Sequence, residues 1–236
     1  MSEQYSPTGF RLLPPVVKHL LIINTLLFLA SFTLNRFGID LSKYLGLHFF
    51  LASDFMPYQL FTYMFMHANF EHIFFNMFAL WMFGNTLENI WGSKRFLLFY
   101  IVCGLGAGVC QELVQYIQYL TMGLANYENV SLGVAHIMPT AEYLNMWNTV
   151  GASGAVYGLL LAFGMLFPNS MIYLYFLFPI KAKWFVIAYA VIELVSGFLS
   201  SGNVAHFAHL GGMLFGLILI LIWKKKGKLY NSGNFY

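Results

Sequence analysis

Six continuous apolar runs divide this chain, at residues 16–34, 70–89, 96–117, 150–167, 184–200 and 204–223. Each is close to the roughly 20 residues that cross the about 30 Å hydrocarbon core of a bilayer as a helix. Lipid offers the backbone no hydrogen-bond partners, so such a chain folds either as helices that satisfy themselves or as a closed barrel. A barrel needs short alternating strands, and these runs do not alternate. Hydrophobic residues make up 59% of the 236 and charged ones 9%, with a mean hydropathy of +0.68, which excludes a soluble globular domain. The expectation is an all-α, polytopic bundle of six transmembrane helices, TM1 to TM6 in the order above, in one domain over 1–236. A polar lead of 15 residues and the lack of a small-residue cleavage site favour a retained TM1 over a removable signal peptide.

Basic residues set the orientation. With the N-terminus in the cytoplasm, ten of the twelve lie inside (Arg11, Lys18, Lys94, Arg95, Lys181, Lys183, Lys224, Lys225, Lys226 and Lys228), leaving Arg36 and Lys43 outside. Both termini are then cytoplasmic, and the basic run after TM6 reads as an anchor on anionic headgroups rather than a nucleic-acid patch. The expected partner is the lipid bilayer, with no nucleic acid, and the expected location is a bacterial inner membrane. Cys103 and Cys110 are seven residues apart on TM3, about 10 Å along a helix, too far for a disulfide.

Between TM1 and TM2, residues 35–69 include Leu45 to Phe50 and Leu60 to Met66, too apolar for an ordinary loop and too short to span. They are expected to form a re-entrant or interfacial outer element, packed against protein or a wet cavity. Asn69 is the expected N-cap of TM2, with Glu71 in its first turn. The segment 118–149 carries Glu128 and Glu142 and no Lys or Arg, as an outer loop should.

In this topology TM2, TM4 and TM6 all start at the outer face, and the informative polar residues sit near those starts. His72 and Asn76 are four apart on one face of TM2, Ser153 opens TM4 and His209 opens TM6. Each falls roughly 3 to 10 Å below the start of its helix. Gly154, Gly158 and Ala162 on TM4, and Gly212 and Gly216 on TM6, make small-residue faces that let the two backbones approach and carry the Ser153 hydroxyl toward the His209 imidazole. A lone intramembrane serine ordinarily bonds its own helix, and a lone histidine or asparagine ordinarily bridges helices. Polar side chains at matching depth on three helices point instead to a site.

The chain resembles the rhomboid family of intramembrane serine proteases. Gly151-Ala152-Ser153-Gly154 is similar to the family's nucleophile motif, and Ala208-His209-Leu210-Gly211-Gly212, continuing to Gly216, to its AHxxGxxxG helix. His72 and Asn76 match the TM2 H-x-x-x-N pair, with His67 five residues earlier, and Tyr157 matches the tyrosine that packs on the catalytic imidazole. Glu88 with Gly92-Ser93-Lys94 resembles the inner end of TM2. The Trp-Arg pair that many members carry in the first outer loop is absent from 35–69.

The resemblance implies peptide hydrolysis with Ser153 as nucleophile, His209 as general base and acid, and an oxyanion hole of His72, Asn76 and the Ser153 backbone N–H. It also implies substrate entry between TM2 and TM5 and a cap at 200–204. Soluble serine proteases add an acid, but the only aspartates, Asp40 and Asp54, lie in the outer loop, and counting puts Glu193 near mid-bilayer. A Ser-His dyad is therefore expected, with Glu193 a hydrogen-bonded or protonated carboxyl facing the bundle. Which nitrogen His72 donates from stays open. No cofactor or metal is expected, His206 and His209 reading as a helix-face pair. The substrates expected are transmembrane segments of other membrane proteins, cut near the outer face after local unwinding. Two other readings compete: a rhomboid-like protein that binds transmembrane helices without cutting them, which should lack the serine or the histidine, and a small transporter, which should continue its polar path through the inner half.

Overall fold

The computed structural model describes residues 11–133, 137–174, 178–199, 205–227 and 229. It is mostly helical, and four helices are long and apolar enough to cross a membrane: α1 (Pro15–Asn35), α6 (Ser93–Thr121), α9 (Ala182–Leu199) and α10 (His206–Lys225). The expected TM2 is helical over its whole length but not uniform. It runs as α4 (Phe70–Ala79), passes through a π turn (Leu80–Gly84) and ends as α5 (Asn85–Trp91). The expected TM4 is shorter than its apolar run: α8 (Ser153–Leu166) has 14 residues, about 21 Å. Gly151, at φ +136°, keeps residues before Ser153 out of the helix, and Pro168 follows its C-cap Phe167. The expected cap at 200–204 lies outside the described residues, as does the expected first residue of TM6.

Outside the long helices the chain forms short elements. The segment after α1 holds α2 (Ser42–Leu45), β1 (Leu47–His48), α3 (Gln59–Thr62) and a 3-10 turn (Tyr63–Phe65). The loop after α6 holds the hairpin β2 (Asn129–Ser131) and β3 (Ile137–Pro139), then α7 (Thr140–Asn145) and β4 (Asn148–Thr149). β1 pairs antiparallel with β4, Leu47 opposite Thr149, so the segments after α1 and after α6 are tied together immediately before Gly151. The hairpin of β5 (Met171–Leu174) and β6 (Phe178–Lys181) joins α8 to α9.

Buried polar groups fix how these pieces meet. At the start of α1, the buried Glu88 carboxylate accepts the backbone N–H groups of Val16 (3.0 Å) and Val17 (2.8 Å) and the Ser93 hydroxyl (2.6 Å). One side chain thus caps α1, whose own N-cap is a proline with no side-chain acceptor. At the opposite end, Glu112 of α6 accepts from the Phe50 N–H at 2.8 Å, and Tyr63 donates to the Gly104 carbonyl at 2.6 Å, seating the segment between α1 and α4 against α6. Asn69 caps α4 by accepting from the His72 N–H at 2.8 Å.

α6, α8 and α10 pack into the centre through small residues. A Cβ on Gly212 would land on the Gly154 carbonyl, one on Gly158 would meet Cys103 Cβ at 2.8 Å, and one on Gly154 would strike Ala107. Backbone-to-backbone packing replaces side-chain interdigitation here. Large apolar side chains face outward instead, including Phe70, Phe74, Phe75 and Phe78 along α4 and Phe198 and Leu199 on α9, as lipid-facing surfaces require.

Candidate active site

Ser153 is the first residue of α8, so its backbone N–H belongs to the set that has no intrahelical acceptor and forms the positive end of the helix dipole. The approach to it is set by Gly151, whose N–H donates to the Tyr63 carbonyl at 2.9 Å. A side chain there is doubly disfavoured: the φ of +136° suits glycine, and a Cβ would lie 2.8 Å from His72 Nε2 and 3.3 Å from Ser153 Oγ. Glycine therefore lets the His72 ring stand beside the serine.

His209, in the first turn of α10, places Nε2 at 2.8 Å from Ser153 Oγ. The close passage of α10 against α8 at Gly212 and Gly154 brings the two side chains within reach. Tyr157, one turn after Ser153, stacks on the His209 ring with centroids 4.3 Å apart and planes 5° from parallel, which restricts the imidazole to one plane.

Asn76, one turn after His72 on α4, is buried and donates through Nδ2 to the His72 carbonyl at 2.9 Å, leaving its second amide proton uncommitted by that bond. His72 Nδ1 faces the Ala68 N–H at 3.4 Å. Since a backbone N–H only donates, Nδ1 is the acceptor and Nε2 carries the proton of the neutral ring, an assignment made from the network. This decides between the two donors that the amino-acid sequence leaves open. His67 meets the His72 ring edge-on, centroids 5.0 Å apart. Burial first, and the neighbouring His72 second, push the His67 imidazole down to about 3.

Counting along the chain missed Glu193. Its Oε2 lies 3.0 Å from His209 Nδ1 and accepts from His206 Nδ1 at 2.7 Å, while Oε1 accepts a short bond from the Tyr157 hydroxyl. The carboxylate is 6% exposed. Distance and direction disagree for the His209 contact: Nδ1 is close to Oε2 but off the line of a directional hydrogen bond. An electrostatic contact at this separation depends on distance far more than on angle, and it becomes a charge pair when the ring takes up a proton. Glu193 faces the bundle and is hydrogen-bonded, as expected; what counting along the chain did not supply is His209 as a neighbour. Glu193 sits six residues from the described end of α9 at Leu199 and His209 three from the start of α10, about 9 and about 4.5 Å by helical rise. Two long side chains span that difference. Among the described residues, Glu193, His206 and His209 also offer one ligand atom each within 4.8 Å of one another, a spacing that fits a metal ion. Without an ion, His206 Nδ1 donates to the carboxylate while His209 Nδ1 lies against it off the hydrogen-bond line.

Comparison with known proteins bears on what such a site belongs to. Residues 54–226 match the model of the rhomboid domain. The chain is 29% identical over 156 residues to "Rhomboid protein 1, mitochondrial" of Saccharomyces cerevisiae, covering 65% of this chain and 38% of that one. It is 28% identical over 172 residues to the human "Presenilin-associated rhomboid-like protein, mitochondrial", covering 70% and 39%. It is 31% identical over 198 residues to "RHOMBOID-like protein 1" of Arabidopsis thaliana, covering 83% and 40%. The chain thus spans about two fifths of the length of these curated relatives. Two are mitochondrial by name and one is from a plant, which lends no support to a bacterial inner membrane.

Proposed function

The chain belongs to the rhomboid family, and from that premise we propose that it is an intramembrane serine endopeptidase that cuts transmembrane segments of other membrane proteins near the outer face. The observation that carries this reading is the 2.8 Å approach of His209 Nε2 to Ser153 Oγ at the outer ends of two helices packed through glycine. A hydroxyl becomes a competent nucleophile when a base this close can take its proton.

Ser153 Oγ bonds to the scissile carbonyl carbon as its proton passes to His209 Nε2, and the carbonyl π pair moves onto oxygen. The tetrahedral intermediate collapses with cleavage of the C–N bond, and the proton passes from Nε2 to the leaving amine. Water then attacks the acyl-enzyme by the same route and frees Ser153. The oxyanion is received by Nε2–H of His72, Nδ2 of Asn76 and the Ser153 backbone N–H, with the N-terminal dipole of α8 behind them. Tyr157 keeps the imidazole in plane.

The bundle has six membrane crossings in this reading, with the α4 to α5 run and the short α8 as the second and fourth. α8 sits among α6, α9 and α10, so its about 21 Å need not match the lipid thickness on its own. Residues 35–69 form an outer interfacial element, both termini are cytoplasmic, and the whole of 1–236 acts as one domain. Substrate enters between α4 and α9. Its helix unwinds locally because helical backbone is shielded from attack.

The test is cleavage of a transmembrane substrate by the protein reconstituted in vesicles. The wild type is expected to cut it within a few residues of the outer face. A protein that binds the substrate helix but leaves it intact would replace the protease reading with that of a non-proteolytic helix-binding relative.

A further inference from the structure

We propose that Glu193 is a positioning residue for His209, so that the proteolytic unit is a serine, a histidine and a glutamate rather than a Ser-His dyad. The proposal rests on the protease reading above and concerns how its base is oriented.

Three groups face the Glu193 carboxylate from two helices: the Tyr157 hydroxyl from α8, and His206 and His209 from α10, the last beside Ser153. An ionised carboxylate only accepts hydrogen bonds. Its presence 3.0 Å from His209 Nδ1 therefore favours the tautomer with the proton on Nδ1. That choice leaves the lone pair on Nε2, the nitrogen 2.8 Å from Ser153 Oγ, and only that tautomer can accept the serine proton. When Nε2 takes the proton, the imidazolium stands next to a negative charge in a site with little water, where the attraction is large. Glu193 stays ionised throughout and no proton passes to it.

The other contacts hold the carboxylate in place. Tyr157 both stacks on the His209 ring and donates to Oε1, so one side chain sets the plane of the imidazole and the position of its partner. His206 donates to Oε2 on its other side. The approach of His209 Nδ1 is off line, and catalytic hydrogen bonds commonly tighten once substrate is bound. A carboxyl serving only as structural glue would have no reason to face the one ring that also faces Ser153.

Glu193→Gln tests this with minimal change of shape. Its amide can donate to Nδ1 and stabilise the wrong tautomer, the effect that costs about 10⁴-fold in soluble triads. Here Tyr157 still holds the ring, so kcat should fall about 10- to 100-fold with KM changed less than about twofold. Glu193→Asp should recover part of the loss. A Glu193→Gln protein that keeps wild-type kcat, or loses KM and kcat together, overturns the proposal. Should the variant not fold, nitrogen-15 spectra of the wild-type histidines decide it. His209 should carry its proton on Nδ1, and an unprotonated Nδ1, with or without a chelator present, overturns the assignment. The tautomer is read independently of proteolysis: if Ser153→Ala still cleaves, the protease reading fails while the Glu193 to His209 orientation stands or falls on the spectrum.

Discussion

Replacing Gly212 with alanine should separate the two halves of the site. In an exposed helix the change would add about 1 kcal/mol of stability through helix propensity. Here the new Cβ falls on the Gly154 carbonyl, with that residue's Cα 3.1 Å away. The obstacle is backbone at the start of α8 and cannot rotate aside, so α10 must withdraw by on the order of 1 Å, and overpacking of this kind costs about 1–3 kcal/mol. The clash therefore outweighs the propensity gain. Withdrawal also carries His209 away from Ser153, lengthening the 2.8 Å contact beyond hydrogen-bonding range. A misplacement of that size costs about 10²-fold in rate. Gly216→Ala, one turn further along α10, is the internal control: its Cβ meets the Phe99 ring tip at 3.0 Å and Cys103 Sγ at 3.2 Å, side-chain atoms that can shift. It should lose less than about 1 kcal/mol and keep kcat within a few-fold. Thermal melts and cleavage kinetics of the two variants side by side make the measurement. Equal activity in both would refute the claim that backbone contact between α8 and α10 holds the serine and histidine together.

Three further outcomes follow from the same geometry. Asn76→Ala should lower kcat about 10²- to 10³-fold by removing an oxyanion donor while leaving KM near its original value. Glu88→Ala should destabilise the fold by about 1–3 kcal/mol in denaturation, because it strands the N–H groups of Val16 and Val17, with kcat per folded molecule unchanged. His67, held neutral down to about 3 when folded against an ordinary 6.5, contributes no pH dependence to stability above 6.5. As pH falls from 6.5 toward 3 the unfolded chain takes up a proton the folded one refuses, costing up to about 1.4 kcal/mol per pH unit. Melts of wild type against His67→Phe over that range should show a shallower slope in the variant.

Much of this molecule is legible from local signals in its sequence. Length and apolarity locate α1, expected at 16–34 and found at Pro15–Asn35, and the Asn69 cap is visible because capping is a contact within four residues. Small residues four apart on two segments were enough to anticipate that α8 and α10 touch. What escaped depends on pairs far apart in the chain or on angles between helices. Glu193 reaches His209 across two helices through long side chains, a contact that a residue count along either helix does not show. Pairing of β1 with β4 joins residues about a hundred positions apart, and nothing in the two-residue stretches announces it. The shortness of α8 turns on the positive φ at Gly151, which apolarity alone conceals. Three N–H or O–H donors on Glu88 were likewise invisible, since none of its partners lies on its own helix.

The central claim is that Ser153 is a nucleophile made reactive by His209 within the bundle. It is tested most directly by reacting the reconstituted protein with a fluorophosphonate and mapping the adduct by mass spectrometry. The account predicts a single adduct on Ser153, forming at least about 10²-fold more slowly when His209 is replaced by alanine. Labelling of His209→Ala at the wild-type rate, or an intact wild type with no adduct on Ser153, would contradict it.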